Sequence, residues 1–176
     1  MSKPVFLIGP SGIGKTTLGK QVCRSLGFVF CDLDELVAQH MRESAGTLLP
    51  KVGADGFLCC CRAALQDELQ NHHDRQLIVA VGAGCLESER APRWLSQETT
   101  IAITADADEA YDRIKRERSE SRTREEYKSG KFFVGRRALY TRANKIVHTT
   151  NQTKEQSIAA LVVHLGDITG GSVTAP

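Results

Sequence analysis

Apolar positions follow two rhythms along this 176-residue chain. Short unbroken runs at Val5-Phe6-Leu7-Ile8, Leu77-Ile78-Val79-Ala80-Val81 and Thr99 to Thr104 predict strands buried on both faces. Phe28-Val29-Phe30 and Ile146-Val147-His148 read as two further strands. Between them apolar residues recur at helical spacing. Thr16 to Ser25 reads as a helix with Leu18, Val22 and Leu26 on one face, ended by Gly27. Further helices are predicted over Glu35 to Arg42, Gly53 to Gln70 (apolar at Phe57, Ala64, Leu65 and Leu69), Asp106 to Arg118, Phe133 to Arg142 and Ser157 to Leu165. Asp106 stands where an N-cap would. Strands alternating with helices predict an α/β fold, a three-layer α/β/α arrangement around a five-stranded parallel sheet. Neither a repeat nor a long linker divides the chain, so residues 1–176 are expected to form one domain. Two stretches break the rhythm. Lys115 to Lys131 is dense in Arg, Glu, Lys and Ser, and reads as a mobile charged lid that adds little to a core. The tail, residues 166–176, is rich in Gly, Ser and Thr and is expected to be loose.

Composition narrows the classes. Apolar residues make up 41% and charged residues 25%, and no apolar run approaches membrane-spanning length. Met1-Ser2-Lys3-Pro4 leads directly into a strand without the pattern of a signal peptide, so a cytoplasmic location without membrane contact is expected. The net charge of +2 and only ten aromatic side chains give no support to nucleic-acid binding. Of six cysteines, Cys59, Cys60 and Cys61 are consecutive; on a helix they point about 100° apart and cannot converge on one metal. Together with Cys23, Cys31 and Cys85 they read as reduced thiols filling small core gaps.

The first strand runs into Gly9-Pro10-Ser11-Gly12-Ile13-Gly14-Lys15-Thr16, which fits the phosphate-binding loop pattern G-x-x-x-x-G-K-[ST]. Its glycines let backbone N–H groups wrap around phosphate oxygens, and the helix it opens offers a positive dipole end. The loop predicts a P-loop NTPase-type fold that binds ATP through Gly12, Ile13, Gly14, Lys15, Thr16 and Thr17. Lys15 would meet the β- and γ-phosphates, and the Thr16 hydroxyl would ligate Mg²⁺. A GTPase is disfavoured, because Asn144-Lys145 is followed by Ile146-Val147 and not by the x-Asp of a guanine-reading motif.

Phe30-Cys31-Asp32-Leu33-Asp34 puts two carboxylates just past the end of the second predicted strand, where ligands bind in open α/β sheets. Two residues apart on an extended segment, the carboxylates would share a face. One would organise the Mg²⁺ water shell and the other take a proton from an attacking hydroxyl. The competing reading is helix N-capping by either aspartate.

This set of pieces resembles the shikimate kinase family, small P-loop kinases that phosphorylate the 3-hydroxyl of shikimate. The resemblance runs from Val5 to about Leu165. It rests on the phosphate loop, the Asp32-x-Asp34 pair, Gly53-x-x-x-Phe57, the Gly-rich turn Gly82-Ala83-Gly84, and Arg136-x-x-Leu139-Tyr140. It implies that Asp34 is the base and an acceptor ligand, and that Asp32 supports Mg²⁺ with Thr16. Gly82, Ala83, Gly84 and Arg136 would bind the acceptor, Arg136 by its carboxylate, within an acceptor region over residues 33–61. It also implies that Arg113 lies against adenine, that the loop from Thr149 to Thr153 holds the adenine edge, and that a lid arginine reaches the phosphates. Arg118 and Arg122 are the favoured lid candidates, with Arg116 and Arg124 behind them; the competing reading is a solvated helix. A monomer acting on ATP and a small hydroxyl-bearing substrate is expected.

The departures fall in the acceptor site. Where the family has Gly-Glu-x-x-Phe-Arg-x-x-Glu, this chain has Ala54, Leu58 and Cys61 at the charged positions. Ala38 replaces an acidic residue, Ala83 interrupts a triple glycine, and Ala138 replaces a proline. Three functions stay open: a divergent shikimate kinase, a kinase for another cyclitol or sugar-type alcohol, and a nucleotide-binding protein without turnover.

Overall fold

A computed structural model of the protein describes residues 3–117, 122–130 and 136–170. Five parallel strands form one sheet: β1 (Val5–Ile8), β2 (Val29–Asp32), β3 (Leu77–Ala80), β4 (Thr99–Thr104) and β5 (Lys145–His148), in the order β2-β3-β1-β4-β5. β1 is central, pairing Val5 with Ile78 of β3 and with Thr99 of β4. Alternation along β1 feeds two cores. Phe6 and Ile8 join Val37, Phe57, Leu58, Cys61, Leu95 and Tyr140 on one sheet face, whereas Val5 and Leu7 join Leu18, Val22, Tyr111, Ile114 and Leu161 on the other. The expected three-layer architecture is therefore the one observed.

The first face carries α2 (Leu33–Met41), α3 (Ala45–Asn71), α4 (Ala91–Leu95) and α7 (Arg137–Thr141); the second carries α1 (Lys15–Leu26), α5 (Ala107–Glu117) and α8 (Lys154–Thr169). A short α6 (Arg124–Ser129) packs on α5. Among the described residues, no helix is long and apolar enough to cross a membrane.

Several elements differ from the sequence expectation. The third helix begins at Ala45, because Ser44 caps it through the Thr47 N–H; Pro50 and Gly53 inside it read as breakers, yet Gly53 absorbs the kink at φ 71° and the helix resumes. The last helix opens at Lys154 behind a Thr153/Gln156 capping box and runs to Thr169, so residues 166–169 of the supposed tail are helical; residues 171–176 lie outside the described ones. Of the helix predicted over Phe133 to Arg142, Arg137–Thr141 is helical, and residues 131–135 are not among those described.

The charged lid needs the largest correction. Thr123 and Glu126 form a capping box that starts α6, and Tyr127 within it is wholly buried. Its ring lies 5.7 Å from that of Tyr111, and its hydroxyl donates to the Ser11 carbonyl at 2.9 Å. One aromatic side chain thus gives a segment otherwise made of charges a share of the core. The cysteines also divide: Cys23, Cys31, Cys61 and Cys85 are buried as expected, but Cys60 is half-buried and Cys59 is exposed.

Candidate active site

The phosphate loop leaves the carboxyl end of the central strand and turns into α1. Gly14 caps that helix at φ 99°, a left-handed conformation that a side chain would strain. Lys15 folds back over the loop and donates to the carbonyls of Gly9 and Pro10, each at 2.9 Å. A polyphosphate entering the loop would offer the ammonium stronger, charge-assisted acceptors in exchange.

Asp32 and Asp34 do not share the face of an extended segment. Asp32 ends β2 and caps α2, while Asp34 lies in that helix's first turn. The Asp32 Oδ1 accepts the Asp34 N–H at 3.1 Å, and its Oδ2 accepts the Thr16 hydroxyl at 2.8 Å. Capping and support of Thr16 are thus one arrangement: each carboxylate oxygen has its own task. Hard oxygen donors of this kind suit Mg²⁺, which keeps several waters and takes few protein ligands. Thr16 could hold the ion and Asp32 could order its water shell.

Asp34 lies hard against the Gly-rich turn. A Cβ on Gly82 would sit 2.1–2.2 Å from all three carboxylate atoms of Asp34, so the carboxylate occupies the space a side chain would fill. Lys15, Thr16, Thr17, Asp32, Asp34, Gly82 and Ala83 line one cleft of about 190 Å³ with Ser11, Gly12 and Gly14. Phosphate loop and acidic pair therefore open onto the same space.

At the α3 positions where the resembled family is charged this chain has uncharged residues, and Leu58 lines a separate cavity of about 300 Å³ together with Arg62, Arg90 and Arg93. Leu58 and Cys61 are buried, and Phe57 packs under Gly84, where a Cβ would come within 2.9 Å of its ring. A hydrogen bond with the neighbouring Cys85 thiol, together with burial, pushes the Cys61 thiol far up. Arg136 does not line the cleft around Asp34. Its Nη2 donates to the Leu86 carbonyl at 2.6 Å and pairs with Glu87 Oε1 at 3.2 Å, beside a separate cavity of about 260 Å³. Sequence reasoning missed Glu87, which has no motif around it.

A third cavity, about 460 Å³, lies between the loop, α5 and α8. Gly12, Ile13, Gly14, Thr17, Arg113 and Thr149 line it. Arg113 is held by the Thr149 hydroxyl and carbonyl, each at 2.8 Å, and by Glu109. So pinned, its guanidinium could stack on a planar base. Arg116, Gln152, Lys154 and Ser157 also border this cavity. Of these, Arg116 was named only as a lid candidate and Gln152 only through its loop. Arg122 lies over the Tyr127 ring, 5.4 Å from its centroid, and Arg124 pairs with Asp108 and Asp112 on α5. Arg118 falls outside the described residues.

The order of strands, the loop leaving the central strand and the acidic pair at the end of the edge strand β2 define a P-loop kinase-type α/β fold. Two solved structures share it over nearly their whole lengths. The shikimate kinase of Aquifex aeolicus matches with a TM-score of 0.68 at 25% identity, covering 96% of this chain and 99% of its own. That of Acinetobacter baumannii, solved in complex with shikimate, matches with a TM-score of 0.72 at 23% identity, covering 94% of each chain. The family model described as shikimate kinase matches residues 11–165, and the chain belongs to that family. Shikimate kinase 2 of Pectobacterium carotovorum is 32% identical over 109 residues, 61% of this chain. The chain spans 61% of that relative's length in the match.

Proposed function

We propose that the chain is an ATP-dependent kinase that transfers the γ-phosphate to a hydroxyl of a small shikimate-type acceptor. The observation that carries this reading is the shared cleft: Lys15, Thr16 with Asp32, and Asp34 against Gly82 face one space of about 190 Å³. Bound Mg²⁺ would neutralise phosphate charge there. The adenine would occupy the cavity at Arg113, with its phosphates on the backbone amides of the loop. Lys15 would leave the Gly9 and Pro10 carbonyls for the β- and γ-phosphates. Asp34 would accept a hydrogen bond from the acceptor hydroxyl and take its proton as the oxygen attacks the γ-phosphorus in line. The new O–P bond forms as the bond to the β-phosphate oxygen breaks, and ADP departs. Arg122, or Arg118, would add positive charge from the lid.

A second reading, a different cyclitol or sugar-type alcohol as acceptor, is favoured by the uncharged, buried side chains of Leu58 and Cys61 on α3. We further read residues 1–176 as one domain, a cytoplasmic monomer with no nucleic-acid partner. The test is ADP release, coupled to a spectrophotometric readout, over a panel of shikimate, neutral cyclitols and sugars. Turnover of at least one panel member, abolished by Lys15→Ala, is expected. Silence across the panel despite tight ATP binding, or near-normal turnover by Lys15→Ala, would overturn the kinase reading.

A further inference from the structure

The cavity of about 300 Å³ between α3 and the α4 segment shares no lining residue with the cleft at Asp34 or with the cavity at Arg113. Three arginines line it: Arg62 from α3, Arg90 just before α4, and Arg93 within α4. Trp94 forms part of the wall, and its ring stands edge-to-face with the core residue Phe6 at 5.3 Å, so this side is anchored. Asp55 ties the two sides together. Its Oδ1 accepts the hydroxyl of buried Ser88 at 2.6 Å, and its Oδ2 pairs with the Arg90 Nε at 3.3 Å. The Arg90 N–H completes the ring of contacts by donating to the Ser88 Oγ at 3.1 Å.

Charge in this cavity is not balanced from within. Among the described lining residues, Asp55 is the one carboxylate set against three guanidinium groups. Its contact engages the inner nitrogen of the Arg90 fork. Among the described residues, neither Arg62 nor Arg93 has an ion pair or a hydrogen bond at its guanidinium, and both are exposed to entering solute. A concave site lined by one sign of charge focuses its field and concentrates counter-ions. Guanidinium forks match the paired oxygens of phosphates and carboxylates, which a point-like ammonium does not. Several forks around one small space are therefore met best by an anion with several oxygens and more than one charge.

We infer that this cavity is a second anion site, distinct from the phosphate loop, for a compact soluble anion of at least two charges, a phosphate monoester or a polycarboxylate. Bound there, the anion bridges Arg62 of α3 to Arg93 of α4, next to the Phe57 that packs under Gly84. The readout is local, because Cys59 is exposed and lines the same cavity, so a bound anion shields its thiol. The full chain, with Mg-ADP present to occupy the phosphate loop, is alkylated with iodoacetamide, and modification of Cys59 is timed by peptide mass mapping. Inorganic phosphate, citrate and acetate are titrated at an ionic strength held constant with sodium chloride. Phosphate, citrate or both should slow Cys59 alkylation several-fold and saturably, and acetate should not. Stronger protection by phosphate assigns a phosphoryl ligand, and stronger protection by citrate a polycarboxylate. Arg62→Gln and Arg93→Gln should each raise the half-protecting concentration at least about threefold, and the double variant at least about tenfold. Arg62→Lys and Arg93→Lys, which keep the charge and lose the fork, should fall between and keep the test open should a glutamine variant fail to fold. No protection by either multivalent anion, equal protection by acetate, or undiminished protection in a folded double variant would overturn the inference. None of these readings needs turnover, so the site stands or falls apart from the kinase reading.

Discussion

Replacing Gly82 by alanine tests the geometry of the acceptor site more sharply than deleting the base. The backbone at Gly82 is not in the left-handed region, so alanine is conformationally permitted. The added methyl would meet the Asp34 Cγ, Oδ1 and Oδ2 at 2.1–2.2 Å. Ordinary contact begins near about 3.4 Å, so the carboxylate must retreat by roughly 1 Å or rotate away. Asp34 sits in the first turn of α2 and its backbone is held by the Asp32 cap, so the side chain gives way and the helix stays. A misplacement of about 1 Å at a catalytic group costs on the order of 10²-fold in rate. The stability cost should stay within about 1–3 kcal/mol, as for a small overpacking change. Gly82→Ala should thus lose about 100-fold in kcat with ATP affinity unchanged, because the phosphate loop is untouched. Steady-state kinetics on whichever acceptor proves active, with nucleotide binding by calorimetry and a thermal melt, read all three quantities. A folded Gly82→Ala protein with wild-type kcat would remove Asp34 from the reaction.

Two further outcomes are expected. Tyr127→Phe deletes the hydrogen bond to the Ser11 carbonyl while keeping the buried ring; it should cost about 1 kcal/mol of stability and weaken ATP binding several-fold, checked by denaturant melts and nucleotide titration. Burial holds the Cys23 and Cys31 thiols up at about 12, against 9.0 when unfolded, so the folded chain binds more protons than the unfolded one above that point. Their contribution is whole below pH 9 and drains away as pH rises towards 12, so the urea midpoint should fall steadily over that window in wild type and less in Cys23→Ala.

The donor half of the site was legible in the sequence because it is local. Eight consecutive residues form the loop, and a strand and helix on either side fix its direction. The sheet was legible for the same reason: each strand is a short apolar run. What escaped depends on contacts distant in sequence. Ser44 and Thr153 open helices that breakers or polar residues seemed to delay. Tyr127 was lost among charges because its partners, Tyr111 and Ser11, lie 16 and 116 residues away. Asp34 was expected on an extended face, whereas the chain turns helical at Leu33 once Asp32 caps it. Arg136 was read by motif, but Glu87, a carboxylate it pairs with, is 49 residues earlier, at a position no motif marks.

Asp32 lies outside the phosphate loop, yet its two oxygens touch Thr16 of that loop and the backbone of Asp34. It acts as a spacer of fixed length between donor and base. The α3 residues Leu58 and Cys61 can be exchanged for a new alcohol without moving that spacer. Divergence of substrate in such a scaffold therefore need not disturb the distance over which phosphate travels.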